Sequence, residues 1–310
     1  MKDFKTLLLL VFVVWHGFLS CSREDTKEEE PLPGVIGNVV HHGTFPTNFV
    51  EPRTVDVWLP PGYAESHEQR YPVLYMHDGQ NLFDPVTSFI GVDWGIDETM
   101  TRLIEERRIR EAIVVGIGNA PQRIQEYMPQ KPVETMLSSE KKAECISEQG
   151  EPLSDRYLRF IVSELKPFID ATYRTLPERA QTFIMGSSMG GLISVYAVCE
   201  YPDIFGGAGC VSTHWPAGDG VVIEYLKKTL PDPNTHKIYF DYGTETVDAA
   251  YEPYQMKVDT VMQKAGYTRG ENWITKKFPG HEHSERAWRQ RVHIPLTFFF
   301  GSSDSSFFEN

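Results

Sequence analysis

The stretch TFIMGSSMGGL, residues 182–192, decides the fold of this chain. It contains the pattern G-x-S-x-G with Ser188 at its centre, between an apolar run at 183–185 and an apolar helical run at 192–198. A strand, a sharp turn and a helix in this order form a nucleophile elbow, which lifts a serine hydroxyl clear of the sheet. The glycines on either side of the serine let strand and helix approach without Cβ clashes. We therefore interpret Ser188 as a nucleophile; an ordinary Gly/Ser-rich turn is the alternative.

An acidic loop follows a later predicted strand. Residues 237–242 predict this strand, and Glu245 and Asp248 lie in the loop after it. Catalytic groups of open α/β sheets collect at the carboxyl edge, and a nucleophile elbow is followed along the chain by an acid and then a histidine. We favour Asp248 as the acid and keep Glu245 as the alternative. A solvated loop carboxylate is the competing interpretation for either residue.

Two histidines follow the last predicted strand, residues 273–278. His281 and His283 both fit by position, and imidazole titrates near neutrality, as a group that takes and returns a proton should. Their spacing, His-x-Glu-x-His, differs from the His-Glu-x-x-His of helical zinc sites, so we predict no metal. The order serine, acid, histidine predicts nucleophilic ester chemistry that needs no cofactor.

Predicted strands and helices alternate after residue 50. The strands are 54–59, 73–76, 112–117, 182–185, 207–211, 237–241 and 273–278, and the helices are 97–107, 154–171, 190–201, 220–229, 254–265 and 284–298. This alternation predicts an α/β fold with a mostly parallel sheet and helices on both faces. Residues 128–153 are polar without clear periodicity, and we expect a long loop there that overhangs the site as a lid.

Several blocks of the chain resemble the esterase D-like family of α/β-hydrolases. That family includes feruloyl esterases, acetyl-xylan esterases, S-formylglutathione hydrolases and trilactone siderophore esterases. The matching blocks are RTVDVWLPPGY at 53–63, YPVLYMHDGQNLF at 71–83, ELKPFID at 164–170, the elbow, and HSE at 283–285 with Trp288 and Arg291. The resemblance covers most of the chain. It implies an α/β-hydrolase fold and identifies His283 as the catalytic base.

The block HDGQ at 77–80 also has a physical task. During acyl transfer, negative charge develops on the carbonyl oxygen of the substrate. Backbone N–H groups must already be positioned to stabilise that charge. One donor comes from the residue after the nucleophile, here Met189, and the other comes from the loop after the third strand. The second donor is therefore Gly79 or Gln80, unless this loop is a simple turn.

Aromatic and polar side chains at other predicted strand ends are candidates for a substrate pocket. Aromatic faces suit sugar rings or a phenolic acyl group, and a guanidinium suits a carboxylate or phenolate. The candidates are Trp94, Arg123, Tyr127, His214 and Trp215. Ordinary loop packing is the competing interpretation for each, and the family resemblance favours Arg123 and Trp215.

Composition excludes some classes of protein. The chain has 310 residues, 41% of them hydrophobic, which is enough for one domain with a large core. Its formal net charge of -13 disfavours nucleic-acid binding and polyanionic substrates. Apart from Cys21, the cysteines Cys145, Cys199 and Cys210 have no spacing typical of a disulfide framework. We expect Cys199 and Cys210 to be buried apolar residues.

Residues 1–21 are predicted to be a signal peptide. Two lysines precede an apolar run at 6–19, which is shorter than a membrane span. Leu19-Ser20-Cys21 resembles a bacterial lipobox, and that resemblance implies cleavage before Cys21 and its lipidation. We predict that residues 22–35 are a disordered tether, that 36–301 are the esterase domain and that 302–310 are a tail. Ordinary secretion is the alternative.

Together these observations predict an exported serine carboxylesterase of the bacterial cell envelope. It contacts the membrane only through a lipid anchor, which the serine after Cys21 directs to the outer membrane. The family resemblance implies a small ester or esterified plant polysaccharide as substrate, with acetyl or feruloyl groups removed. A ferric-siderophore esterase, an acyltransferase and a catalytically silent surface binding protein are the alternatives. The sequence makes no prediction of the oligomeric state.

Overall fold

One eight-stranded sheet forms the centre of the computed structural model, which describes residues 35–301. The strand order is β1-β2-β4-β3-β5-β6-β7-β8. The strands are β1 Asn38–Phe45, β2 Arg53–Leu59, β3 Val73–His77, β4 Ile113–Ile117, β5 Thr182–Ser187, β6 Gly207–Val211, β7 Lys237–Gly243 and β8 Trp273–Phe278. β2 is antiparallel to β1 and β4, and the pairs from β4 to β8 are parallel. This confirms the predicted α/β-hydrolase fold.

Helices cover both faces of this sheet. They are α1 Ile96–Glu105, α2 Arg123–Tyr127, α3 Gln130–Met136, α4 Ser139–Gln149, α5 Ser154–Phe160, α6 Lys166–Thr172, α7 Met189–Glu200, α8 Val221–Thr229, α9 Glu252–Lys264, α10 Glu285–Arg291 and α11 His293–Phe300. A π-helical stretch, Ile161–Leu165, joins α5 to α6. α5 to α9 pack on one face of the sheet, and α1, α10 and α11 pack on the other.

The alternation of side chains along the strands builds the core. Val73 and Tyr75 of β3 belong to the cluster beneath α5 to α9, whereas Leu74 and Met76 belong to the cluster beneath α1, α10 and α11. All residues of β3 and β4 are buried. Burial on both faces is what a parallel sheet between two helical layers requires, and it explains the continuous apolar runs of these strands.

Several elements differ from the sequence-based expectation, among them β1, residues 128–153 and the last helix. β1 is an edge strand with half-exposed, largely polar residues and a register shift between His41 and Thr44. Its sequence therefore lacks the alternation of apolar and polar residues that would predict a strand. Residues 128–153 form α3 and α4 instead of a loop. The predicted helix 284–298 is two helices, because Pro295 lacks the N–H that would continue α10 past Arg291.

The thiols and the termini complete the description. Cys145 and Cys210 are buried, Cys199 is half-buried, and all three are free. Within residues 35–301, no helix combines the length and apolar character needed to cross a membrane. The predicted signal peptide, Cys21, residues 22–34 of the tether and the tail at 302–310 lie outside the described residues.

Candidate active site

Ser188 lies at a strained turn between β5 and α7. Its φ of 58° and ψ of −121° are unusual for a residue with a side chain and cost on the order of 1–3 kcal/mol. Neighbouring glycines make the turn fit: a Cβ on Gly186 would lie 2.9 Å from the carbonyl carbon of Gly190. The Ser188 N–H donates to the carbonyl of Val211 on β6 at 2.9 Å. The turn therefore presents a half-buried serine at the carboxyl edge of the sheet.

Asp248 and His283 are joined at the same edge. His283 Nδ1 and Asp248 Oδ1 lie 2.5 Å apart, and the His283 N–H donates to Thr246 Oγ1 at 2.9 Å. Asp248 is buried in a short 3₁₀-helix, Thr246–Ala250, that begins three residues after the end of β7. Because Nδ1 is hydrogen-bonded to the carboxylate, Nε2 is the ring nitrogen that is available to accept a proton from a nucleophile.

Two further donors bind the other oxygen of Asp248. The Gly243 N–H and the Ser212 hydroxyl each lie 2.5 Å from Oδ2. Burial alone would raise the pKa of Asp248, but the hydrogen bonds from His283, Ser212 and Gly243 outweigh it and lower the pKa. The carboxylate is therefore ionised at neutral pH and can stabilise an imidazolium.

Ser212 connects this carboxylate to a buried cation. Its Oγ accepts from Trp288 Nε1 at 3.1 Å and from Arg291 Nη2 at 2.7 Å. Since both of these groups only donate, the single hydroxyl proton of Ser212 points to Asp248. Arg291 also donates to Asp241 at 3.0 Å. One guanidinium thus balances two buried carboxylates, a task that the sequence did not reveal for Ser212 or Arg291.

Glu245 and His281, the alternative acid and histidine, lie in the loops after β7 and β8. Glu245 is exposed, and its N–H donates to the carbonyl of His281 at 3.0 Å. The ring of His281 packs against Phe278 with centroids 5.3 Å apart. The structure thus brings Asp248, and not Glu245, to His283.

The predicted oxyanion residues lie at two adjoining turns. Met189 is the first residue of α7, and Gly79 is the first residue of a 3₁₀-helix, Gly79–Asn81, after β3. N–H groups at these first positions have no acceptor inside their own helix. A Cβ on Gly79 would lie 2.5 Å from the carbonyl carbon of Gly116, so this close approach requires glycine. Gln80 is half-buried, and its Oε1 accepts from the Asn119 N–H at 3.2 Å.

Arg123 pairs with a carboxylate beside these turns. Its Nε and Nη2 bind Asp78 Oδ1 and Oδ2 at 2.6 Å and 2.7 Å. Asp78 has a left-handed φ of 56°, and Asn119 Nδ2 also donates to its carboxylate, at 2.8 Å. Arg123 therefore holds the turn that carries Gly79, and a substrate carboxylate would compete with Asp78 for it. Its side chain is 25% exposed, and substrate binding by Arg123 stays a prediction.

Three predicted pocket aromatics belong to the core. Trp94, Tyr127 and Trp215 are 3%, 0% and 1% exposed. Trp94 packs on Trp288 with centroids 5.3 Å apart, and Trp215 Nε1 donates to Gln255 Oε1 at 2.8 Å. Large rings at strand ends bury much apolar surface by closing over the sheet, and that packing corrects the expectation that these rings offer faces to substrate.

His214, in contrast, lies half-buried beside the elbow. Its N–H donates to the Ser188 carbonyl at 3.1 Å, and its Nδ1 lies 2.7 Å from the hydroxyl of Tyr251. Tyr251 is fully buried, and its ring meets that of His283 edge-on, with centroids 5.8 Å apart. The sequence analysis assigned no role to Tyr251, so its place between His214 and His283 is a finding of the structure.

One acidic cluster has the compactness of a metal site. Within the described residues 35–301, Asp93, Asp97 and Glu98 alone bring three suitable ligand atoms within 4.8 Å of one another. Arg289 donates to Asp93 at 2.7 Å and to Glu98 at 2.6 Å. A cation of the protein's own therefore already binds two of the three carboxylates.

Known proteins resemble this chain in sequence and in fold. The sequence model of the family described as "Putative esterase" matches residues 47–294. The uncharacterized protein YbbA of Bacillus subtilis is 26% identical over 196 residues, which are 62% of this chain and 68% of YbbA.

Two solved structures show the same fold. The ferulic acid esterase of the anaerobic fungus Anaeromyces mucronatus has a TM-score of 0.61 and 20% identity, covering 88% of this chain and 95% of the fungal one. The enterobactin esterase of Shigella flexneri, solved with enterobactin, has a TM-score of 0.60 and 17% identity, covering 86% and 59%. Because the family match spans most of the chain, this protein belongs to the putative esterase family of carboxylic ester hydrolases.

Proposed function

We propose that this protein is a serine carboxylesterase with Ser188 as nucleophile, His283 as base and Asp248 as the orienting acid. The observation that carries the proposal is the 2.5 Å contact between His283 Nδ1 and Asp248, at the edge where the strained turn presents Ser188. A buried, ionised carboxylate on Nδ1 fixes the tautomer in which Nε2 is free to accept a proton.

The reaction then runs in two halves. The Ser188 hydroxyl attacks the ester carbonyl carbon, and its proton moves to His283 Nε2. N–H groups of Met189 and of Gly79 or Gln80 stabilise the oxyanion. As the carbon–oxygen bond to the alcohol breaks, the imidazolium returns the proton to that alcohol. Water repeats the sequence on the acyl-serine and releases the acid, so the cycle needs neither metal nor cofactor.

For the substrate, we propose acetyl or feruloyl esters of plant polysaccharide. The fold is shared with a ferulic acid esterase. Val86 and Phe89, 88% and 84% exposed, lie in a loop tied to the oxyanion turn by the Thr87 Oγ1 bond to the Gln80 carbonyl. These two exposed apolar side chains are suited to contact with a phenolic ring.

A siderophore esterase is the second candidate, because the fold is also shared with an enterobactin esterase. The net charge of -13 favours the polysaccharide ester, since a ferric trilactone complex is itself anionic. Acyl transfer to a sugar uses the same three groups and differs only in the acceptor that replaces water. A catalytically silent binding protein would not need an ionised carboxylate that is hydrogen-bonded to a histidine.

For localisation, we propose export and a lipid anchor at Cys21. The support is the basic and apolar order of residues 1–21 and the lipobox-like sequence before Cys21. An enzyme held at the outer membrane in this way meets polymeric esters outside the cytoplasm.

The test is hydrolysis of p-nitrophenyl acetate by the purified protein. Ser188→Ala should fold normally and lose on the order of 10⁴- to 10⁶-fold in kcat, because the nucleophile is gone. Ser139→Ala, at an exposed position of α4, is the matched control and should keep the wild-type rate. A Ser188→Ala rate within tenfold of wild type would rule out the assignment. Acetyl-xylan, feruloyl and trilactone esters compared on the active enzyme then identify the substrate.

A further inference from the structure

Thr246 has a strained backbone conformation and contacts His283, although its side chain is exposed. We propose that Thr246 is a positioning residue, whose hydroxyl holds the main chain of His283 and thereby fixes the direction of the imidazole. The proposal rests on the proposed esterase function and assigns a residue outside its nucleophile, base, acid and oxyanion donors.

The backbone of Thr246 has a φ of 55°, in the left-handed region that favours glycine. For a β-branched residue this conformation is an outlier, because the branched Cβ crowds the backbone. Thr246 is exposed, so packing in the core does not impose the conformation. Since such strain persists only where surrounding contacts over-determine it, its cause lies in the hydrogen bonds that the residue makes.

Two hydrogen bonds occupy the Thr246 hydroxyl. Its oxygen accepts from the His283 main-chain N–H at 2.9 Å, a direction that is fixed because a peptide nitrogen only donates. Its proton is directed to the carbonyl of Glu245 at 2.7 Å. A glycine at this position would adopt the same φ without strain but would leave the His283 N–H without this acceptor. Threonine therefore exchanges backbone strain for a contact with His283.

Hydrogen bonds join the loop after β7 to the loop after β8, and Thr246 extends this connection. The N–H groups of Thr244 and Glu245 both donate to the carbonyl of His281, each at 3.0 Å. The bond to Thr246 then lies two residues further along the second loop, at the main chain of His283. The connection between the loops thus reaches the residue whose ring has to be oriented.

Thr246 and Asp248 hold His283 at two different atoms. They lie two residues apart in the 3₁₀-helix Thr246–Ala250, and Asp248 Oδ1 is 2.5 Å from His283 Nδ1. A bond at Nδ1 alone would let the imidazole swing about that contact, whereas a second bond at the main-chain nitrogen fixes the other end of the residue. Because proton transfer at Nε2 depends on alignment, loss of the second bond should slow the reaction without weakening substrate binding.

Backbone strain is concentrated around the same groups. Within residues 35–301, six residues other than glycine have a positive φ, and four of them belong to the proposed site. Those four are Asp78, Ser188, Ser212 and Thr246. The other two, Arg107 and Asp219, have no part in the proposed mechanism. Strain held at functional groups is expected where the position of a group matters more than stability.

The test is a series of substitutions at Thr246, each measured by initial rates with p-nitrophenyl acetate and by thermal unfolding. Thr246→Gly removes both the strain and the hydroxyl. We expect its melting temperature to rise by about 1–3 °C, because glycine adopts this φ freely. Its kcat should fall roughly 3- to 10-fold with KM unchanged, the effect of one neutral hydrogen bond. A residue with a merely structural role would not gain stability while it loses activity.

Two further variants separate the hydroxyl from the strain. Thr246→Val keeps the branched side chain and its strain but lacks the hydroxyl. Its kcat should fall as in Thr246→Gly, while its melting temperature falls instead of rising. Thr246→Ser keeps the hydroxyl and should keep kcat within about twofold of wild type.

Arg107→Gly is the matched control for relief of strain. Arg107 is exposed, has a φ of 56° and lies between α1 and the start of β4, whereas Ser188 follows the carboxyl end of β5. This substitution should raise the melting temperature and leave kcat unchanged. A loss of kcat in Arg107→Gly would show that relief of strain lowers the rate from a distant position, and would overturn the assignment.

The Thr246 variants decide the proposal. A kcat within about twofold of wild type in both Thr246→Gly and Thr246→Val overturns it. A loss in Thr246→Ser as large as that in Thr246→Val overturns the role of the hydroxyl, even if Thr246→Gly does not fold. A melting temperature of Thr246→Gly below that of wild type overturns the strain argument. Absence of all hydrolysis by the wild type would instead count against the proposed esterase function.

Discussion

Substituting Asp248 with asparagine tests the acid, and the neighbouring donors fix how the new side chain must lie. Ser212 donates to Asp248 Oδ2, because its own oxygen accepts from two groups that only donate, and the Gly243 N–H donates there as well. The asparagine carbonyl must therefore take the Oδ2 position. Its NH₂ group then faces His283, whose Nδ1 must become an acceptor.

The reversed tautomer places a hydrogen on His283 Nε2, where the Ser188 proton has to go. We expect Asp248→Asn to lose roughly 10²- to 10⁴-fold in kcat, which corresponds to about 3–5.5 kcal/mol in the barrier. The melting temperature should stay near that of the wild type, because the carbonyl still satisfies both donors. Initial rates with p-nitrophenyl acetate measure the first quantity, and thermal unfolding measures the second.

Glu245→Gln is the matched control in the same loop. Glu245 is exposed, so its charge is screened and its loss should cost less than about tenfold. The opposite ranking of the two variants would transfer the orienting role to Glu245. Mild effects in both would mean that Ser188 and His283 act as a dyad, and either result would refute the hydrogen-bond argument.

Two further predictions concern stability and localisation. Burial, followed by the bond to Glu98, raises the pKa of Asp97 to about 8, so the folded state keeps a proton that the unfolded chain releases above pH ~4. Stability should fall between those values as pH rises, and Asp97→Asn should flatten this decline in melting temperature between pH 5 and 8; an equal decline in both proteins would contradict the assignment. Cells fed labelled palmitate should label the wild type and not Cys21→Ser, and equal labelling would exclude the lipid anchor.

The sequence was most informative where local chemistry decides the structure. The glycines around Ser188 and the apolar runs on either side predict a strand, a tight turn and a helix without reference to the rest of the chain. Strands such as β4 and β6 were detectable because burial on both faces makes them continuously apolar. Asp248 and His283 come after Ser188 along the chain because they follow β7 and β8, whereas Ser188 follows β5.

What escaped prediction depends on distant packing. Ser212 follows β6 and Asp248 follows β7, and only the pairing of these two strands brings the Ser212 hydroxyl to that carboxylate. Aromatic residues at strand ends looked accessible, but the rings of Trp94 and Trp215 close over the core. The polar helices α3 and α4 gain their stability from neighbours such as α8, so their own sequence carries little periodicity.

The strand order also has a consequence for the newly synthesised chain. β5, β6, β7 and β8 join the sheet in the order in which they are translated, each beside the one before. Ser188 therefore emerges from the ribosome almost a hundred residues before His283, which follows the edge strand β8. A chain that stops short of β8 can complete the elbow and still lacks His283, the proposed base. Under the proposed mechanism, such a chain stays inert toward esters until the final segment docks on the sheet.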